Sequence, residues 1–430
     1  MNDRERIVIL GAGFAGLYAY TELCNELHGT DSATITMVSA DDEFVFVPMI
    51  HEVAAGTLMP RSITQSLRTI PQCCVHELVH GTVVGVDLDR QVVQIEYHQD
   101  DESIRLDHHH HDELPYDTLV LALGSETNYF GVPGAAEYAL PLKTLDDAIR
   151  LKNHVIERFE EAHRLDNQTE QRDILRFVIV GGGATGVELA GELIELIDRE
   201  LYTAFPQLRG CAEVIILEGG DALVKQVDPW FGNRILQSLE RAGCTVRFNA
   251  RVTAIEPNAI CIGDERLPTK SVIWSGGVRA RTLAITGERE LAYDDRSNRI
   301  RVTPELYIPE YDNVYVAGDM AWVESTEAGV PYPMRAQFAT REGQLVGRNI
   351  ARKIRGHAQE IFEWNEQGFI ISLGAAGAFA EVFGIKLSGF PARVVYRAAY
   401  VLKTIGVRSK WRMASDWIMN TFLPRDISKL

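Results

Sequence analysis

The chain has 430 residues, 46% of them hydrophobic and 24% charged, with a formal net charge of −17. That length is more than one core fills and calls for two or three domains. The composition is that of a folded globular protein, not a disordered or fibrous one, and the acidity argues against a nucleic-acid partner. No apolar run reaches the ~20 residues that cross a bilayer, so no transmembrane helix is expected. The chain enters the strand Arg6-Ile7-Val8-Ile9-Leu10 within a few residues of Met1, which leaves no room for a signal peptide and points to the cytoplasmic side.

In chain order, the first predicted unit is that strand, the turn Gly11-Ala12-Gly13-Phe14-Ala15-Gly16, a helix, and the strand Ala33 to Val38. A GxGxxG placed directly between a buried strand and a helix is built for a dinucleotide. The first glycine makes the turn, the second admits the pyrophosphate, the third lets helix and strand pack, and the helix N-terminus supplies a positive dipole. The partner strand ends at Ser39, not at an acid, so a ribose contact falls to Ser39, with Asp41 or Glu43 assisting.

The run His108 to His111 sits among acids and reads as a solvated loop, not a metal site. Six cysteines (Cys24, Cys73, Cys74, Cys211, Cys244 and Cys261) form no CxxC pair and no metal-ligand spacing, and read as small buried hydrophobes in a reducing compartment. An apolar strand from Thr118 stops at Gly124-Ser125, and a helix pattern follows from Asp146 to Leu165.

The second unit repeats the first: the strand Arg176 to Val180, the turn Gly181-Gly182-Gly183-Ala184-Thr185-Gly186, a helix, and the strand Ala212 to Glu218. The two copies amount to an internal duplication. Glu218 can accept both hydroxyls of an adenosine ribose, although it lies 37 residues after Gly181, against the usual ~20. No arginine follows between 218 and 223 to neutralise a 2′-phosphate, which favours NADH over NADPH. Glu188 is expected on the first turn of the helix, held ionised by the dipole or acting as a capping acid.

Further strands run from Ser271 to Gly277 and from Asn313 to Ala317, the latter ending on Gly318-Asp319, where an aspartate can reach a ribitol or pyrophosphate; a helix pattern spans Arg335 to Arg355. From Lys386 to Leu430 there are nine Lys or Arg against two acids, a tail of +7 on an acidic body. Val394, Val395, Ala398, Val401, Leu402, Ile405, Trp411, Ile418 and Phe422 recur there at helical spacing among the cations. That pattern suits a helix lying on an anionic lipid surface; a core-packing helix or a homodimer interface is the other reading. The expected fold is α/β, with two Rossmann-like dinucleotide-binding domains and a helical amphipathic C-terminal region. The boundaries are 1–125 and 301–360 for the first dinucleotide domain, 126–300 for the inserted second, and 361–430 for the tail.

The order GAGFAG, LALGS, GGGATGVELAGEL, EGGDALV and VYVAGD, then Ala336-Gln337 and the basic tail, resembles the type II NADH:quinone oxidoreductases over essentially the whole chain. The loop Pro48 to Gly56 belongs to the same pattern. The resemblance implies one non-covalent FAD, NADH as donor, two-electron reduction of a membrane quinone without proton pumping, and a peripheral place on the cytoplasmic face of the membrane. It assigns Gly11, Gly13, Phe14, Ala15, Gly16, Ser39, Ala40, Val83, Gly124, Asp319, Ala336 and Gln337 to FAD. Gly181, Gly183, Gly186, Glu188, Glu218 and Gly276 fall to NADH. Glu188 matches the glutamate that helps position NADH and handle protons, and Gln337 offers an amide to a quinone carbonyl. The family pattern AQxxxQ has a second glutamine where this chain has Arg341, and this departure puts the acceptor in doubt. No metal is implied. The nearest rival is a sulfide:quinone oxidoreductase, which would need flavin-side cysteines after Cys261. A membrane-associated flavoprotein that senses NADH without turnover is a third reading.

Overall fold

The computed structural model describes residues 4–70, 76–97, 113–325, 329–364 and 368–429, so Cys73, Cys74 and the His108–His111 run lie outside the described residues. The chain forms two compact units. One comprises Met1–Val45, Gln65–Glu126 and Val278–Trp364; the other comprises Phe46–Thr64, Thr127–Gly277 and Asn365–Leu430. The sequence reading puts the crossing back at 301 and a separate tail domain from 361. In the structure the crossing falls at 278, and the tail joins the second unit together with the loop after Val45.

The first unit is built on a six-stranded sheet. Its strand order is Tyr307–Ile308, Tyr311–Val316, Thr118–Leu121, Glu5–Leu10, Ala33–Ser39, His76–His80. Every pairing is parallel except that of the Tyr307–Ile308 edge. Ile7 to Leu10 are buried on both faces, as the continuous apolar run requires of a central parallel strand. A smaller sheet carries Ala284–Thr286, Thr82–Asp87, Val92–Glu96 and Glu113–Pro115.

Two helices of this unit cross closely: Phe14–Glu26, which follows the glycine turn, and Ala336–Ile354. Gly343 and Gly347 lie at the crossing. A Cβ on Gly343 would run into the Ala15 carbonyl, and one on Gly347 would meet Ala19 O at 2.8 Å. The absent side chains bring the start of the second helix against the turn at Gly318, where a Cβ would meet Ala15 Cβ at 3.0 Å and Ala339 Cβ at 3.4 Å.

The second unit holds a five-stranded parallel sheet, in the order Leu140–Pro141, Ser271–Trp274, Arg176–Val180, Glu213–Leu217, Cys244–Arg247. The helix Ala184–Leu196 follows the second glycine turn. An antiparallel sheet of Phe369–Ser372, Ala378–Val382 and Ile385–Ser388 leads into the helices Phe390–Lys403 and Val407–Phe422. Among the described residues, no helix is long and apolar enough to cross a membrane. Of the six cysteines, Cys24 and Cys244 are buried and free, and burial pushes the Cys244 thiol up to about 12.

Candidate functional sites in the two units

The two glycine turns repeat one geometry. Gly11 N donates to Val38 O at 2.8 Å and Gly181 N donates to Leu217 O at 2.9 Å, each tying the turn to the end of its partner strand. Both glycines adopt positive φ, +97° and +109°, which costs a residue with a Cβ. A Cβ on Gly16 would strike Gly11 O, and one on Gly186 would strike Gly181 O, so the third glycine of each motif closes the helix onto its own turn. Among the described residues, nothing beyond the glycine's own neighbours lies within 4 Å of where a Cβ on Gly13 or Gly183 would stand. The middle glycine thus presents bare backbone to open space at a helix N-terminus. That is the cradle a pyrophosphate needs, and the residues fit the group in both units.

In the first unit several of the other predicted residues lie on segments beside that turn. Ser39 ends the neighbouring strand, with its Oγ accepting from Asp41 N at 3.3 Å. Gly81 N donates to Ser39 O at 2.9 Å, which holds the segment leading to Val83 against the end of the Ser39 strand, where Ala40 is exposed. Gly124 follows the strand whose Ala122 lies against Gly11, and it faces open space. Phe14, at the head of the helix, packs edge-on against Phe44 with centroids 5.0 Å apart.

Asp319 takes a hydrogen bond from Ser125 Oγ. Beside it stands a residue the sequence reading missed. Glu342 is 3% exposed, and its Oε2 accepts from Gly318 N at 2.6 Å. Burial pushes its carboxyl up to about 8; the Gly318 amide and Arg299 pull the other way, and Asp319 adds to the rise. Ala336 and Gln337 form the first turn of the Ala336–Ile354 helix, half-buried. Arg341 stands one turn on from Gln337, on the same face, and is exposed.

In the second unit Gly276 Cα lies 2.9 Å from where a Gly181 Cβ would be, and Ser275 Oγ donates to Val180 O at 3.0 Å. Glu218 is already engaged by backbone: Oε2 accepts from Gly182 N at 2.8 Å and Oε1 from Gly220 N at 2.7 Å. A carboxylate has about four acceptor positions, so these bonds aim it while leaving lone pairs for two ribose hydroxyls. The sequence shows no arginine between 218 and 223. The structure brings Lys225 there, with Nζ 2.6 Å from the place of a Gly220 Cβ, paired to Asp221 Oδ1 at 2.6 Å.

Glu188 corrects the expectation of a dipole-held carboxylate. It is the fifth residue of its helix, the first turn holds no acid, and Gly183 is the cap. Burial raises its carboxyl well above the ordinary range. Its Oε1 accepts from Ser372 N at 3.3 Å, and Oε2 stands 3.9 Å from His51 Nδ1. Desolvation outweighs the dipole, which falls off within one turn.

The tail is also different from a free basic helix. Lys386 pairs with Asp228 at 2.5 Å, Lys429 with Glu160 at 3.0 Å, and Arg425 is buried between Glu192 and Glu195 at 3.2 and 2.9 Å. The Arg397 guanidinium lies 5.5 Å from the Trp417 ring centre. Much of what the two helices leave outward is apolar: Phe390 is 78% exposed, Trp411 74% and Phe422 82%, beside Leu402, Val407, Ile418 and Met419, with Lys403, Arg408 and Arg412 also exposed.

Residues 5–343 match the pyridine nucleotide-disulphide oxidoreductase family. The type II NADH:quinone oxidoreductase Ndh of Mycobacterium tuberculosis is 32% identical over 435 residues, 98% of this chain and 88% of that one. The structure of NDH2 from Plasmodium falciparum in complex with NADH superimposes with a TM-score of 0.86 at 18% identity, covering 99% of this chain and 100% of that one. The sulfide:quinone oxidoreductase of Aquifex aeolicus gives 0.70 at 17% identity, covering 97% and 93%. At these identities the two solved structures speak to the fold alone.

Proposed function

The chain belongs to the type II NADH:quinone oxidoreductases, and from that premise we propose how its own residues serve NADH oxidation. The enzyme oxidises NADH through FAD and reduces a quinone by two electrons, without pumping protons. FAD, when bound, supplies the electron chemistry that no side chain here can perform.

The observation that carries the reading is the duplicated turn, with Gly13 and Gly183 each opening bare backbone at a helix N-terminus. The Gly11 turn holds the FAD pyrophosphate, with Phe14, Ala15 and Gly16 closing the helix behind it. Ser39, Ala40 and Val83 serve the adenosine end, and Gly124, Asp319 and Ala336 the flavin end. The Gly181 turn holds NADH, with Gly186 and Gly276 shaping the turn and Glu218 binding the ribose hydroxyls. Asp221 occupies Lys225, so the charge facing a 2′-phosphate stays negative and NADH is preferred. Glu188 positions the nicotinamide and delivers the proton that quinol formation requires. Gln337 donates its amide to the quinone, and Arg341, on the same helix face, favours an acceptor that gains negative charge.

The membrane supplies the quinone. The exposed apolar face of the two tail helices, flanked by Lys403, Arg408, Lys410 and Arg412, suits a peripheral site on an anionic lipid surface at the cytoplasmic face.

Anaerobic mixing with NADH tests the core of this. The flavin absorbance should bleach and then recover when a soluble quinone analogue is added. Bleaching without recovery by any quinone would leave only the NADH-sensing reading, and bleaching by sulfide but not by NADH would favour the rival chemistry.

A further inference from the structure

In the second unit three carboxylates are buried beside one buried arginine, more acid than turnover at Glu188 alone explains. Glu52 is 2% exposed, Glu188 7% and Glu192 2%, and Arg425 joins Glu192 to Glu195. They sit on three segments far apart in sequence: the helix Ile50–Ala54, the helix Ala184–Leu196 and the tail. A buried ion is costly unless paired, and the Arg425 guanidinium, shared with Glu195, cannot neutralise the three buried carboxylates. Protons must.

The hydrogen bonds give those protons an order. Glu52 Oε2 accepts from Trp417 Nε1 at 2.6 Å, and Glu52 Oε1 lies 3.0 Å from the Tyr396 hydroxyl. That hydroxyl lies 3.2 Å from His51 Nε2, and His51 Nδ1 lies 3.9 Å from Glu188 Oε2. Thus Glu52, Tyr396, His51 and Glu188 form a line with one gap, the 3.9 Å between His51 and Glu188. Glu192 is held apart from the line by Thr57 Oγ1 at 2.5 Å and by Arg425.

We propose that Glu52 is a proton store that recharges Glu188 through Tyr396 and His51 during quinone reduction. The inference rests on Glu188 being the proton donor, as read above.

The step balances. Reducing a quinone to a quinol consumes two protons, of which one arrives with the hydrogen of NADH and one comes from the medium. Once Glu188 has given up its proton, Glu52 passes its own to the Tyr396 oxygen and Tyr396 passes its hydrogen to His51 Nε2. His51 then passes the hydrogen on Nδ1 to Glu188. No charge other than that of the two carboxylates changes, and Glu52 is later reprotonated from the medium.

The electrostatics support this order. Burial, with Glu192 adding, pushes Glu52 up to about 8, although Trp417, Tyr396 and Arg425 oppose it. Burial pushes His51 down to about 3, so the ring is neutral and can shift a proton between its nitrogens. Glu192 is raised by burial, whereas Glu195, despite burial, is held low by Arg425 and Arg199. The groups facing the line are therefore Glu192, Glu195, Tyr400 and Arg425, with Lys152 reaching towards Gly56 from the helix Leu145–His163. The ion pairs of Arg425 with Glu192 and Glu195 take up its charge, and Glu52 keeps its proton at neutral pH.

The test uses the FAD-loaded protein and the variants Glu52→Gln, Tyr396→Phe and Glu188→Gln, accepting only those that retain FAD. Glu52→Gln and Tyr396→Phe should slow flavin reoxidation by a soluble quinone by about tenfold or more, below the ~10²–10⁴ of a direct proton donor. They should leave the rate of bleaching by NADH within about twofold, because that step needs no proton from the line. In wild type reoxidation should fall as pH rises through about 8, and Glu52→Gln should lose that limb. Independently of turnover, the protonated-carboxyl absorption in the infrared spectrum of the oxidised protein at neutral pH should shift in D2O and lose one component in Glu52→Gln. Slow reoxidation in Glu188→Gln with normal reoxidation in both other variants overturns the store and keeps the donor. Normal reoxidation in Glu188→Gln overturns both. Identical carboxyl absorption in wild type and Glu52→Gln overturns the store by itself.

Discussion

At the residue scale, the informative side chains are those whose charge is settled by burial. Glu342 accepts from Gly318 N and sits near Asp319 and Arg299, with its carboxyl pushed up to about 8 from an ordinary 4.5. A carboxyl raised in this way binds more protons folded than unfolded between those two values, so its contribution to stability declines as pH rises from about 4.5 to about 8. Glu342→Gln keeps an acceptor for Gly318 and stays neutral, so it should remove part of that decline. The expected outcome is a flatter Tm profile between pH 5 and pH 8 and a gain on the order of a few kcal/mol at the alkaline end. A profile as steep as wild type would show that Glu342 is ionised throughout. Coenzyme choice belongs to the same scale. Asp221→Ala frees Lys225 to face a 2′-phosphate, so kcat/KM for NADPH should rise relative to NADH by up to about fivefold, the worth of one partly screened charge contact. An unchanged ratio would place Lys225 too far from the ribose to matter. Little of this was legible beforehand. Glu342 reads as an ordinary helix acid, and Lys225 lies just past the stretch where a counterion would be sought.

At the scale of elements, the glycine turns could be read because their function is local: six residues between a strand and a helix carry the whole signal. The crossing of Phe14–Glu26 with Ala336–Ile354 could not, because Gly343 and Gly347 gain their meaning only from Ala15 and Ala19 more than three hundred residues away. The same holds for Glu52, whose partner Trp417 is 365 residues on. The first helical turn was misjudged for Glu188 for a related reason. Sequence shows the dipole but not the desolvation that outweighs it. Gly343→Val should be far more damaging than its conservative size suggests. Its side chain meets Ala15 backbone on a helix that cannot retreat without moving the Gly11 turn. Overpacking of this kind costs about 1–3 kcal/mol or more. The variant should purify with less FAD and a lower Tm that added FAD only partly restores. Full flavin occupancy would mean that the helices separate without disturbing the turn.

At the scale of the whole molecule, the tail tests how far net charge can be trusted as a guide to surface. The sequence presents a basic end on an acidic body, which suggests attachment to anionic lipid by charge. The fold spends part of that charge inside its own unit, through Lys386 on Asp228, Lys429 on Glu160, and Arg425 among Glu192 and Glu195. The outward surface of the two tail helices is dominated by Phe390, Leu402, Val407, Trp411, Ile418 and Phe422. Adhesion should therefore depend more on apolar insertion than on counting cations. Each buried aromatic contributes roughly 1.5–3 kcal/mol if it leaves water fully, whereas a juxtamembrane cation gives about 1 kcal/mol and is screened by salt. Trp411→Ser combined with Phe422→Ser should cut sedimentation with mixed neutral and anionic vesicles at least about tenfold, while NADH still bleaches the flavin. Arg408→Gln combined with Lys410→Gln should weaken binding less, and chiefly at low salt. If the charge variant loses the vesicles and the aromatic variant keeps them, the tail adheres by electrostatics and the exposed apolar face has some other partner.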